Sequence, residues 1–314
     1  MATLIYFDGG GGGIRAQANI SGVKSEITSF AGFSHGEAEL VDYLVEVVSK
    51  YANQIGGDID RAVLAVATLP ADHNRFESIA KSVFANSKVK ELWICSDSIS
   101  SSAAEITGDG VVIAVGTGIT SLAVGQNRSK LHTLSGDGYL IADVASAYWI
   151  GRKGLSIATR ASDGRDVSAS AKELLAVACK EFNTEPYFLP HVVHQQERAV
   201  NGIAQFAKKV TELAAEGNES ALKIIDDAAD EVALIASTAK RECGGGSDFQ
   251  VALIGGVLAP DTLVYQMAVK KISDLGMKVS SSGKTPLDGA GVLAQLEDPG
   301  VFSPLIKVFR AGMK

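Results

Sequence analysis

"YFDGGGGGIRA", residues 6–16, sets five consecutive glycines directly after an aspartate and a short apolar run. The preceding "TLIYF" (3–7) has the unbroken apolar character of a buried strand, and "IRAQANI" (14–20) alternates as its hairpin partner would. A flexible Gly-rich linker joins two folded parts, so seven residues before Asp8 disfavour that reading. The dinucleotide fingerprint needs a third glycine at the position held by Ile14 or Arg15, and a Walker A loop needs Lys-Ser/Thr after its last glycine. Both patterns fail. What remains is a strand, turn and strand with a carboxylate closing the first strand. Its glycines either let backbone amides approach phosphate oxygens or serve only as a permissive turn.

Working outward, "GEAELVDYLVEVVSKYANQI" spaces Leu40, Tyr43, Leu44, Val47, Val48 and Tyr51 along one helical face. "RAVLAVAT" (61–68) and "VKELWICSD" (89–97) read as buried strands around a helix in "DHNRFESIAKSVFA". A hairpin followed by alternating helix and strand predicts an α/β domain with a mixed sheet. The plan recurs at "GVVIAVGTGITSLAVG" (110–125), two apolar strands about a Gly-Thr-Gly turn, with a third strand in "SKLHTLSGDG". A helical region is expected from about Leu140 to Cys243, its first helix presenting Ile141, Val144, Ala145 and Tyr148. "FQVALIGGVLAP" (249–260) returns to a strand with a double-glycine turn. A helix through Met267 and Ile272, a short strand near "MKVSS" and a helix from about Leu287 to Leu296 complete the second copy. No short sequence repeat accompanies this duplication.

The chain has 314 residues, enough for about two domains, with 46% hydrophobic and 21% charged residues. A net charge of -7, with no basic cluster longer than pairs such as Lys208-Lys209, disfavours a nucleic-acid backbone as partner. The longest apolar runs fall short of the ~18 residues of a spanning helix, and no basic region precedes a signal-type apolar stretch, which predicts a cytoplasmic protein away from membranes. Cys95, Cys179 and Cys243 are an odd, widely spaced set outside any CxxC pair, as expected of reduced structural thiols. "SGKTP" (282–286) has a Gly-Lys-Thr tail, but Lys278 stands where the leading glycine belongs, so a surface turn is expected. His191 and His194 lack a third ligand nearby in sequence, and Tyr148 and Trp149 sit at core spacing.

Four segments in order resemble the sugar-kinase, heat-shock and actin superfamily, most closely the N-acetylglucosamine kinase family. That family groups with the ATPase activators of benzoyl-CoA reductase and 2-hydroxyacyl-CoA dehydratase. The segments are "DGGGGGIRA" (8–16), "SDSISSSAA" (96–104), "VGTGITSLAV" (115–124) with "GDGYLIADVASAYWIGRKGL" behind it, and "ALIGGVLAP" (252–260); "TPLDGAGVLA" (285–294) is similar to the family's closing helix. The resemblance implies an α/β, actin-like ATPase fold, two ribonuclease-H-like lobes with mixed sheets and a cleft between them. It places residues 1–108 and a C-terminal helix at about 298–314 in one lobe, and residues 109–297 in the other.

It also implies ATP and Mg2+ as cofactors and a small sugar as substrate; relatives are often dimers, so a homodimer is the assembly that the resemblance, and not the sequence itself, suggests. Residue by residue, Asp8 would hold the magnesium ion through water, and Gly9, Gly10, Gly11 and Gly12 would approach the phosphates. Gly116, Thr117 and Gly118 would form the second phosphate clamp, and Gly255 and Gly256 would pack beside the adenosine. Asp97 aligns with the catalytic base, the one carboxylate that phosphoryl transfer to a hydroxyl needs; read without the resemblance, it is a helix N-cap. Asp143 aligns with an aspartate that contacts the sugar, and its expected place in the first turn of a helix would favour a negative charge in any role. Ser34 and His35 fall in the sugar loop.

The chain departs from the family in four places. Gly12 and Gly13 stand where hydroxyl residues are usual, a loss of about 0.5 to 1.5 kcal/mol of net binding per donor, so Gly12→Thr is expected to tighten ATP. "AGFSHGEA" (31–38) has Phe33 and His35 in place of a Pro and Asn pattern, and "TLPAD" (68–72) replaces a glycine-rich turn. Ala142, Val144 and Ala145 replace Gly, Glu and Gly around Asp143. Two functions follow: a kinase of N-acetylglucosamine or a related amino sugar or hexose at its 6-hydroxyl, or a degenerate nucleotide- or sugar-binding sensor. An electron-transfer activator would need paired cysteines for an iron-sulfur cluster, and these three do not supply them.

Overall fold

The computed structural model describes residues 2–10, 13–32, 37–67, 69 and 72–312. The chain opens with strands β1 (Thr3–Gly10), β2 (Gly13–Ile20), β3 (Val23–Lys24) and β4 (Thr28–Phe30). Helix α1 (Glu37–Ile55), β5 (Arg61–Val66), α2 (His73–Asn86), β6 (Glu91–Cys95) and α3 (Asp97–Glu105) follow. Next come β7 (Gly110–Val115), β8 (Ile119–Gly125) and β9 (Lys130–Leu134). The helices α4 (Ala147–Ser162), α5 (Ala169–Glu181), α6 (Leu189–His194), α7 (Ala199–Ala215) and α8 (Glu219–Cys243) lead to β10 (Gln250–Ile254). The remainder is α9 (Leu263–Asp274), β11 (Lys278–Val279), α10 (Pro286–Gln295) and β12 (Lys307–Arg310).

Two compact units result: Met1–Thr107 with Arg128–Leu131 and Ser281–Lys314, and Gly108–Asn127 with His132–Ser280. In the first, the strand order is β12-β6-β5-β1-β2-β3, with β4 also paired to β2. The β1–β2 hairpin is antiparallel, whereas β1, β5 and β6 run parallel. In the second sheet the order is β11-β10-β7-β8-β9, again with an antiparallel hairpin, β7–β8, and parallel neighbours on its other side. The duplicated plan expected from the two glycine hairpins is therefore one strand order used twice.

Local sequence explains these elements. On α1, Leu40, Leu44, Val47, Val48 and Tyr51 are all buried, and β5 buries Ala62 to Val66 without a break, as a central parallel strand must. The first core joins Ile5, Phe7, Leu44, Tyr51, Leu64 and Ile79; the second gathers Trp149, Phe206, Val232 and Phe249 around β7 and β10. Cys95 and Cys243 are buried and Cys179 is half-buried. Among the described residues no helix is long and apolar enough to cross a membrane.

Three expectations are corrected. The helix expected from Leu140 starts at Ala147, and Leu140 and Ile141 stand in a loop, 81% and 88% exposed. Positive φ at Gly138, Asp143 and Ala145 breaks helical geometry, and the Ser146 side chain accepts from Trp149 N to define the start. Apolar spacing at 141, 144, 145 and 148 imitated a helical face. The C-terminal segment is not a helix but a 3-10 turn (Gly300–Phe302) and β12, whose Arg310 reaches Glu91 of the adjoining strand at 2.7 Å. The second unit, moreover, ends at Ser280, and α10 groups with the first. The cause is close packing on α3: a Cβ at Gly289 would fall 1.8 Å from Ser100 O, an approach that only a bare Cα permits.

Candidate active site

In the first unit the parallel run β1, β5 and β6 turns its carboxyl ends to one edge of the sheet, the edge at which open α/β sheets bind ligands. Asp8 lies near the end of β1, and Asp97 follows β6 as the first residue of α3. Ser96, not Asp97, is the N-cap, its Oγ accepting from Ser98 N at 3.2 Å. The capping alternative for Asp97 is thereby corrected: a neighbouring serine does that work. Ser96 Oγ also donates to Asp97 Oδ1 at 3.1 Å, and Ser100 Oγ donates to Asp97 O at 2.9 Å.

Burial pushes the Asp97 carboxyl above its ordinary value, against the Ser96 hydroxyl and Ser98 N–H, which favour the anion. Asp8 is 4% exposed, and burial raises it too. The Arg15 guanidinium counters this, at 2.6 Å from Asp8 Oδ2, while the Asp97 charge raises Asp8 further. The same two carboxylates and its burial push up the Cys95 thiol. Asp8, Cys95 and Asp97 thus share one electrostatic environment, with Arg15 as its cation. Sequence reading missed Arg15; the available signal was hairpin register, since Asp8 and Arg15 are cross-strand partners.

Gly9 and Gly10 continue β1 and pair with Ile14 and Gly13, so the hairpin carries Asp8 to the turn. Gly11, Gly12, Ser34 and His35 lie outside the described residues. For Mg2+, a carboxylate acting through water suits an ion that keeps most of its own waters. Asp8, already paired with Arg15 through Oδ2, is the carboxylate that would hold such an ion through water. No cluster of three or more candidate metal ligands occurs among the described residues.

The second unit carries the other glycine turn. Gly116 N donates to Gly118 O at 2.9 Å, and the first-turn amides of α4, Ala147 N and Tyr148 N, donate to Gly116 O and Thr117 O at 2.9 and 3.2 Å. Helix α4 thereby uses amides without intrahelical partners to fix the turn. Beside it opens a cavity of about 1000 Å3 between α7 and the segment from Gly256 to α9. Gly116, Thr117 and Gly256 line it, with Ala207, Lys208 and Val257, apolar walls with a few polar groups as in small-molecule sites. Gly118 and Gly255 do not line it but pack behind it. At Gly255 the φ is 97° and a Cβ would sit 2.3 Å from Val115 O, so this turn presses on β7. Lys208 was not foreseen, because α7 shows only amphipathic spacing.

Asp143 is 7% exposed and sits in the 136–146 loop, not in the first turn of a helix as expected. Its Oδ1 accepts from Gly138 N at 3.2 Å. Burial raises its carboxyl, Gly138 N–H opposes this, and Asp137 adds to it.

Residues 8–291 match the model of the BadF/BadG/BcrA/BcrD ATPase family. That match spans most of the chain, so the protein belongs to this ATPase family, whose name implies ATP use. No curated protein matches the chain. Among solved structures, a "Putative N-acetylglucosamine Kinase" from Chromobacterium violaceum is 19% identical, covering 94% of this chain and 99% of that one with a TM-score of 0.69. A second of that description, from Porphyromonas gingivalis, is 14% identical over 93% and 98%, with a TM-score of 0.67. A ROK family glucokinase from Streptomyces griseus, in complex with glucose and AMPPNP, is 16% identical over 94% and 99%, with a TM-score of 0.57. These likenesses establish the α/β, actin-like fold with its two sheets.

Proposed function

We propose that the protein is an ATP-dependent sugar kinase acting on N-acetylglucosamine or a related amino sugar or hexose at the 6-hydroxyl. The observation that carries this reading is the carboxylate pair at one sheet edge: Asp8 near the end of β1 and Asp97 after β6, close enough for Asp97 to raise Asp8. Phosphoryl transfer asks the protein for positioning, charge neutralisation and one carboxylate near the attacking hydroxyl. Asp97 takes that last part, accepting the hydroxyl proton as the sugar oxygen bonds to the γ-phosphorus and the bond to the β-phosphate oxygen breaks. Its raised proton affinity suits a base better than an ordinary aspartate. Mg2+, held through water by Asp8, would neutralise phosphate charge. On this reading the phosphate-contacting residues are those the resemblance implies, Gly9, Gly10, Gly11 and Gly12 together with Gly116, Thr117 and Gly118, and the nucleoside takes the cavity beside Gly256. Ser34, His35 and Asp143 contact the sugar.

A second reading, a kinase-like sensor with little turnover, is favoured by Arg15 on Asp8 and by glycines at 12 and 13 where hydroxyls are usual. ADP release with Mg2+ and ATP separates the two, over N-acetylglucosamine, glucosamine, N-acetylmannosamine, glucose and no sugar. Turnover that depends on one sugar and disappears in Asp97→Asn is the expected result. Nucleotide binding without sugar-dependent turnover would replace the kinase with the sensor.

A further inference from the structure

Two segments of the second unit, the Gly116–Thr117–Gly118 turn and the 136–146 loop, meet at the Asp143 side chain. A Cβ at Gly118 would lie 2.8 Å from Asp143 Oδ2 and 3.7 Å from its Cγ, with no other non-neighbouring atom of the described residues within 4 Å. Asp143 has φ of 57°, a left-handed conformation that costs a non-glycine residue roughly 1 kcal/mol and persists only where surroundings over-determine it. Those surroundings are visible. Gly138 N donates to Oδ1 at 3.2 Å, and Ser146 N donates to Asp143 O at 3.1 Å. Ser146 caps α4, whose next two amides hold Gly116 O and Thr117 O. The turn is therefore clamped through its carbonyls by α4 and braced at Gly118 by the Asp143 carboxylate.

We propose that Asp143 is a positioning residue of the nucleotide site: its carboxylate fills the space left by the missing Cβ of Gly118 and fixes the turn that lines the cavity. This deepens the reading above, resting on its nucleotide site and adding to the sugar contact a role that operates without sugar. Gly118 is then a glycine because Asp143 occupies its flank, not only because a phosphate must approach.

The test is calorimetric binding of ADP to the full chain, without sugar, for wild type, Asp143→Asn, Asp143→Gly, Gly118→Ala and the double variant Gly118→Ala/Asp143→Gly. Asparagine tolerates the left-handed region and keeps an oxygen for Gly138 N, so its affinity stays within about twofold of wild type. Asp143→Gly empties the space and Gly118→Ala crowds it, and each weakens ADP about fivefold. In the double variant the added methyl takes the vacated space and affinity returns to within about twofold, the non-additivity of touching residues. Losses that add in the double variant overturn the proposal. Wild type that takes no ADP defeats the nucleotide reading instead; the thermal midpoints of the same variants then decide, with recovery in the double variant supporting the brace and additive loss sinking it.

Discussion

At the scale of single residues, the candidate site is organised around carboxylates that the fold keeps partly desolvated. Asp97 is held above its ordinary proton affinity chiefly by burial, so the ionised form that the proposed base role needs is one the fold disfavours. Asp97→Asn is therefore expected to have opposite effects on activity and stability. Loss of the base should lower kcat by about 10²- to 10⁴-fold, while removal of a desolvated charge should raise the thermal midpoint. Calorimetry beside the ADP-release assay checks both, and an unchanged kcat would show that another group takes the proton. The positions of Asp8, near the end of β1, and Asp97, just past β6, were legible in the sequence because each stands at the end of an apolar run. Arg15 was not, because an ion pair depends on which residues face each other across a hairpin, and the run of glycines hid that register until the strands were paired.

At the scale of elements, most helices and strands could be read from apolar periodicity, and the failures mark what periodicity omits. The loop from 136 to 146 has apolar spacing compatible with a helix, yet backbone sign decided it, and the C-terminal helix that the resemblance implied gives way to cross-strand pairing with β6. Neither quantity is written in hydrophobic pattern. The α3–α10 contact is a third case, set by bare Cα atoms: Gly289 lies against Ser100 O and Ala104 N, and Gly291 against the Tyr6 ring. A methyl at 289 has no space, since its neighbours are backbone atoms of a helix that cannot swing aside. Gly289→Ala is expected to destabilise the protein by about 1 to 3 kcal/mol and, by displacing the helix that begins with Asp97, to lower kcat more than the KM for ATP. Denaturant unfolding and steady-state kinetics measure the two effects. Full stability with normal kcat would mean that the helices separate freely at this crossing.

At the scale of the whole molecule, two groups of carboxyls respond to acid in opposite senses. Asp8, Asp97 and Asp143 are raised, chiefly by burial, so the folded chain takes up their protons at higher pH than the unfolded chain does. Their contribution must make the protein more stable as pH falls from neutrality towards the ordinary aspartate value of 3.8. Glu91 and Asp288 are lowered. Burial works to raise Glu91, but Arg310, Arg61 and Trp93 together hold it down. Asp288 is taken to about 2, first by Thr285 N–H, then by the Thr285 hydroxyl and Lys24, against partial burial. The stability these two supply is complete above their unfolded values and is lost as pH falls through their folded ones. The thermal midpoint should therefore pass through a maximum in mild acid and drop steeply as pH approaches 2. On the proposed kinase reading, activity should fall as Asp97 is protonated, and because burial raises that carboxyl the fall begins at higher pH than an ordinary aspartate would give. Thermal midpoints and kcat across the same buffers test this directly, and Asp97→Asn should flatten the rise on the neutral side while leaving the acid fall in place. A midpoint that declines steadily from neutrality, with no maximum, would mean that the buried carboxyls are solvated in solution and that the base has the proton affinity of an ordinary aspartate.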